Sequence, residues 1–215
     1  MRRKDRALKV YQGLQERYPH TETFLHFHKD WELLFAIILS AQASDASVNQ
    51  ATEKLFVAFP TLSDYTEENR AGILFCISHV GLGKTKCTYL IKTAGILLKD
   101  YDGQVPKDRK ALQKLPGVGY KTSGVFLGEF YNEPYIPVDT HVYRVSHRLG
   151  LVNDSLSPEE TEVALERLYA SYRTIHLHRQ FILLGRDICY SQRPRCESCP
   201  FSSFCPYHNR KKQPE

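Results

Sequence analysis

A chain of 215 residues with 42% hydrophobic side chains can bury the core of one large domain or two small ones, which excludes a wholly disordered protein. Its net charge of +5 and pI near 8.8 admit an anionic partner without requiring one. The most apolar run, LLFAIIL at 33–39, is too short to span a bilayer, and the N-terminal MRRKDRALKVYQ lacks the apolar stretch of a signal peptide. The expectation is a soluble cytoplasmic protein with no membrane partner. In that compartment disulfides are rare, and clustered cysteines more often serve metals.

Helical periodicity runs along the chain. The N-terminal segment leads into an amphipathic pattern, and Asp30 is a candidate cap for a helix that includes 33–39 and continues through Ser40 and Ala41. By periodicity alone 33–39 also fits a buried strand; the extensions on both sides favour a helix. Val48, Ala51, Thr52, Leu55, Phe56 and Phe59 share one helical face, and Leu90, Ile91, Ala94, Leu97, Leu98 and Tyr101 share another. Two short helical patterns follow, at 108–115 and 120–131. Asp139 then precedes a pattern carrying Val142, Val145 and Leu149, where it reads as an N-cap. Ser157-Pro158-Glu159-Glu160 is a capping box with proline at the first helical position, ahead of a stripe of Ala164, Leu165, Leu168, Tyr169 and Tyr172. No period-two hairpin pattern is present, so the expected fold class is all-α. The tail HNRKKQPE is expected to be loose.

Between the two short helices lies LPGVGYKTS at 115–123. Pro116 and Gly117 end one helix, and Gly117 and Gly119 let the backbone turn tightly around Val118. Loop amides and the next helix's N-terminus then point outward as donors, a ready anion site. Gly-x-Gly alone also fits an ordinary turn. With apolar residues on both sides and Lys121 five positions after Pro116, the segment reads as a helix-hairpin-helix motif, which grips DNA phosphates without reading bases.

Lys121 falls in the first turn of the second helix. A neutral amine there can attack a sugar carbon and form a Schiff base, although the residue taken alone reads better as a surface lysine on a phosphate. VDTHVYRV at 138–145 adds a carboxylate eighteen residues on, at Asp139. That spacing allows one helix and a return to the same region. A carboxylate there can stabilise positive charge on a sugar and assist proton transfer, and capping is compatible with both roles.

CYSQRPRCESCPFSSFC at 189–205 holds four of the six cysteines. Its spacing, C-x6-C-x2-C-x5-C, has only one close pair, Cys196 and Cys199, and leaves zinc and an iron–sulfur cluster both open. Cys76 and Cys87 fall in or beside helical patterns and read as ordinary buried thiols.

LPGVGYKTS, VDTHVYRV and the cysteine run, in this order and at these separations, resemble the endonuclease III family of DNA glycosylase/AP lyases in the helix-hairpin-helix superfamily. The similarity covers nearly the whole chain, including SAQASD at 40–45 and VGLGKTK at 80–86. It implies two helical domains flanking a DNA-binding cleft. One is a six-helix domain over 23–133 that contains the hairpin; the other joins 1–22 to 134–215. Cys189, Cys196, Cys199 and Cys205 would hold a [4Fe–4S] cluster that shapes a basic loop bearing Arg193 and Arg195. Lys121 and Asp139 would be the catalytic pair. Gln42 would fill the gap left by an extruded nucleotide and Leu82 would wedge the opposite strand, beside backbone contacts from Gly117, Val118 and Gly119. The implied activity is excision of oxidised or ring-saturated pyrimidines from double-stranded DNA, with cleavage at abasic sites, by a monomer working at the nucleoid.

One departure is visible: Tyr120 stands where relatives commonly carry a basic residue. The adenine glycosylase branch shares this fold, but it usually lacks a lysine at position 121 and continues well beyond the cysteine run, whereas here ten residues follow Cys205. A non-catalytic DNA-binding module and a small electron carrier are the rivals from other classes.

Overall fold

A computed structural model describes residues 1–172 and 174–212. Among them the fold is all-helical, as expected. The helices are α1 (Arg3–Arg17), α2 (Asp30–Leu39), α3 (Asp45–Ala58), α4 (Arg70–Cys76), α5 (Gly83–Asp100), α6 (Arg109–Leu112), α7 (Tyr120–Tyr131), α8 (Thr140–Arg148), α9 (Pro158–Leu168), α10 (Thr174–Asp187) and α11 (Pro206–Lys212), with 3-10 turns at Leu62–Asp64 and Cys196–Ser198. The chain divides into two compact units, Thr23–Tyr131 and Met1–Glu22 with Asn132–Glu215.

In the first unit α2 is the central element. Every residue from Trp31 to Leu39 is buried, so the 33–39 run is a helix apolar on all sides. It packs against α3, α5 and α7. Trp31 and Phe35 meet Tyr65 edge-on at one end of the helix. Asp30 is not its cap. Lys29 holds the cap position, and Glu32 three residues on supplies the acceptor, its carboxylate taking the His28 and Lys29 amides. Asp30 instead accepts from the Trp31 amide and, at 2.9 Å, from the distant Val105 amide. The helix also stops at Leu39, with Ser40 as its C-cap. On α5, Leu90, Ile91, Ala94 and Leu97 are buried as expected, but Leu98 is exposed at the edge of the stripe. Cys76 and Cys87 are buried, and burial pushes both thiols up.

In the second unit α8 packs against α10, and α10 against α1. Polar side chains on α10 anchor the segment after α1. Arg179 donates to the Thr21 carbonyl at 2.8 Å and Gln180 to the Tyr18 carbonyl at 2.8 Å. The capping box of α9 forms in both directions, with the Glu160 amide on Ser157 and the Ser157 amide on Glu160. The tail is not loose throughout. Its residues 208–212 belong to α11, and 213–215 lie outside the described residues.

Candidate active site

The hairpin begins at Asp108, whose carboxylate caps α6 by accepting from the Ala111 amide at 2.7 Å. α6 is shorter than the 108–115 pattern. Leu115 precedes Pro116, and the proline ring disfavours helical backbone at that position, so the last residues form turns. The two glycines then differ in kind. Gly117 has φ +80°, and a Cβ there would stand 2.6 Å from the Tyr89 ring and 3.2 Å from Ile38. It is glycine because the turn needs positive φ and because the neighbours leave no room. Gly119 has open space where a Cβ would be, and its carbonyl accepts the first α7 bond, from the Ser123 amide at 3.0 Å. Between them Val118 is buried and pins the loop down. The initial amides of α7 lack partners within the helix, so the open side of Gly119 is where an anion would approach.

Lys121 is exposed in the first turn of α7. Below it Ser123 is buried, donating to the Tyr120 carbonyl at 2.7 Å. Arg109 crosses the hairpin. It donates to the same carbonyl at 2.9 Å, and its guanidinium lies over the Tyr120 ring at 3.7 Å. Tyr120 therefore carries a positive charge on its face, supplied from α6. Sequence reasoning passed over Arg109, since its meaning depends on a residue eleven positions away.

Gln42 and Leu82 both occupy the left-handed region, with φ 55° and 62°, and both are exposed. Leu82 is 56% exposed at the residue before α5. Such backbone in a non-glycine residue costs on the order of 1–3 kcal/mol and clusters at functional sites. Their loops adjoin: a Cβ on Gly81 would stand 3.5 Å from the Gln42 carbonyl oxygen.

In the other unit Asp139 caps α8, accepting from the Val142 amide at 2.7 Å. Five and nine residues on, Arg144 and Arg148 bind the cysteine loop. Arg144 donates to the Cys189 carbonyl at 2.8 Å and the Gly185 carbonyl at 3.0 Å. Arg148 donates to the Tyr190 carbonyl at 2.6 Å, the Ser191 carbonyl at 2.9 Å and the Cys189 sulfur at 3.5 Å. The helix that presents Asp139 is thus tied to the segment bearing the cysteines. Both arginines were missed at the sequence level, although their i, i+4 spacing puts them on one face of α8.

Cys189, Cys196, Cys199 and Cys205 line one cavity with Arg148 and Tyr207. Burial first, and then the neighbouring thiols, push Cys199 up to about 11; burial likewise raises Cys205. Cys199 and Cys205 thus resist ionisation by themselves, and a metal centre held by the four cysteines would reverse that, because coordination deprotonates the thiol. Among the described residues no group of three or more His, Cys, Asp or Glu side chains is arranged to hold a single metal ion. Arg193 and Arg195 are exposed on the same loop, Arg193 with φ 47° and Arg195 over the Tyr190 ring at 5.3 Å.

A hairpin between two short helices, an exposed lysine in the second of them, and a carboxylate capping a helix tied to a four-cysteine loop occur together in a class of DNA-repair protein. Residues 35–171 match the HhH-GPD superfamily of base excision DNA repair proteins. The chain is 39% identical to endonuclease III of Escherichia coli (strain K12) over 96% of this chain and 98% of that protein. It is also 39% identical to endonuclease III of Rickettsia conorii, over 93% and 95%. Among solved structures, a trapped endonuclease III–DNA covalent intermediate superposes with a TM-score of 0.92 at 34% identity, covering 99% of this chain and 100% of that one. This chain belongs to the endonuclease III family of the HhH-GPD superfamily and is a DNA glycosylase/AP lyase of base excision repair.

Proposed function

We propose that the protein excises oxidised or ring-saturated pyrimidines from double-stranded DNA and then nicks the strand, with Lys121 as nucleophile. The observation that carries this reading is an exposed amine in the first turn of α7, beside a hairpin whose open face at Gly119 suits a phosphate. A structural relative trapped as a covalent intermediate with DNA supports it.

The target nucleotide leaves the stack so that its sugar can be reached. Gln42 fills the space it leaves, Leu82 wedges the opposite strand, and the amides around Gly117, Val118 and Gly119 hold a backbone phosphate. The Lys121 nitrogen attacks C1′ as the C1′–N bond to the base breaks, and the base leaves with a proton. Asp139 stabilises the positive charge that develops on the sugar and assists proton transfer. Ring opening gives a Schiff base between Lys121 and C1′. Loss of a C2′ proton then drives β-elimination, which breaks the C3′–O bond and releases the downstream strand with a 5′ phosphate, and water hydrolyses the Schiff base to free the lysine. Arg193 and Arg195 add backbone contacts.

Cys189, Cys196, Cys199 and Cys205 would hold a [4Fe–4S] cluster. The four thiols around one cavity fit a group with several binding faces. Its contribution would be structural: it would shape the 189–205 loop and, through Arg144 and Arg148, support α8. Iron and acid-labile sulfide analysis of protein purified anaerobically should find both elements; stoichiometric zinc without sulfide would replace the cluster.

Lys121→Ala tests the chemistry. It should keep the fold and much of the affinity for undamaged duplex, since those rest on backbone amides, and lose borohydride trapping on abasic DNA. An undiminished covalent complex in the variant would move the nucleophile elsewhere.

A further inference from the structure

Lys86 lies four residues past Leu82 in α5, with 2% of its surface exposed. Its ammonium leaves α5 and donates to the Leu39 carbonyl at 2.8 Å and the Ala41 carbonyl at 2.6 Å. Leu39 is the last residue of α2, a helix with no basic residue in its own final turn. A cation there satisfies terminal carbonyls and answers the negative end of the helix dipole. Burial pushes the amine down from the ordinary lysine range. Desolvating the ammonium offsets much of that gain, so stability alone gives only a weak reason to prefer lysine to an apolar side chain at this position.

Geometry gives the reason. Ala41 immediately precedes Gln42, and the Lys86 amide makes the first bond of α5 to the Leu82 carbonyl at 3.0 Å. One side chain therefore joins the loop bearing Gln42 to the helix start bearing Leu82. A second tie runs parallel to it, from the His79 ring to the Ser47 carbonyl at 3.1 Å. Gln42 and Leu82 are two of the five non-glycine residues held in left-handed backbone among the described residues, and both flank these ties. We propose that Lys86 is a positioning residue that locks the Gln42 and Leu82 loops into one rigid element, so that both side chains enter the duplex together. The inference rests on the reading of Gln42 and Leu82 as the inserted residues.

A double-mutant cycle tests it, on duplexes with 2-aminopurine beside a ring-saturated pyrimidine. Lys86→Met should reduce the fluorescence rise on binding and slow single-turnover excision by roughly ten- to a hundredfold, the scale of a small misplacement. Affinity for undamaged duplex should be unchanged, which a merely structural residue would not achieve. In a Gln42→Ala background the same change should cost less than about threefold more, because the two act through one geometry. Lys86→Gln, which keeps an N–H donor without the charge, carries the same cycle if the methionine variant melts below the assay temperature. Losses that multiply independently would overturn the role of Lys86 while leaving the insertion reading intact. Should Gln42→Ala and Leu82→Ala each leave fluorescence and excision unaltered, the insertion reading itself fails, and the coupling with it.

Discussion

At the scale of the residue, Asp139 is a helix cap and the carboxylate proposed to act on the sugar, and a single substitution separates the two. Its carboxylate caps α8 through a 2.7 Å bond from the Val142 amide. Asparagine retains that acceptor and is as good a cap, so Asp139→Asn should change the melting temperature little. The negative charge proposed to act on the sugar is lost, and single-turnover base excision should fall by roughly a hundredfold or more, within the range for a positioned acid–base group. Thermal melts and rapid-quench excision check the two halves. A large melting shift with near-normal excision would reduce Asp139 to a cap.

At the scale of the element, the hairpin divides its duties between two glycines. Gly117→Ala forces a side chain into φ +80° and within 2.6 Å of Tyr89. It should destabilise the unit by on the order of 2 kcal/mol, because the left-handed penalty and the overlap add. Gly119→Ala meets open space and should cost about 1 kcal/mol or less, the difference between glycine and alanine before a helix. Its methyl group stands where a phosphate would approach, so duplex affinity should fall while the melt stays close to wild type. Comparing melts and fluorescence anisotropy for the pair separates a glycine needed by the turn from one needed by the ligand. Normal affinity in Gly119→Ala would move the phosphate contact off this face. The two were indistinguishable in the sequence, where both read as residues that let the chain turn.

At the scale of the whole molecule, binding to undamaged duplex should follow from phosphate contacts alone. The net charge of +5 is modest, so affinity depends on where cations and amides lie rather than on the total. A plot of log affinity against log salt should be linear, with a slope of about −0.9 per phosphate contact. Replacing Arg193 and Arg195 together by alanine should make that slope shallower by up to about two contacts. An abasic site should raise affinity with little change in slope, since extrusion and pocket contacts release few counterions. Equal slopes for the wild type and the arginine variant would remove the 189–205 loop from the interface.

Fold class, most helices and the family were legible in the chain before any folding was seen. Its signals were local: the periodicity of α3 and α5, the capping box at Ser157, the cap at Asp139 and the ordered spacing of three motifs. Each is written within a few turns of chain, where the physics of a helix acts. Where a long-range contact competed, the local reading failed. Asp30 looked like a cap, but Lys29 holds the cap position and the Asp30 carboxylate accepts from the Trp31 and distant Val105 amides. Only the tertiary structure could give Lys86 its acceptors forty-five and forty-seven residues away, lay Arg109 over Tyr120, and tie Arg144 and Arg148 to the cysteine loop. The ends of α2 and α6 and the exposure of Leu98 were decided there too. Helix periodicity states which face is apolar, but the partner of a buried charge is fixed only when distant segments close around it and exclude water.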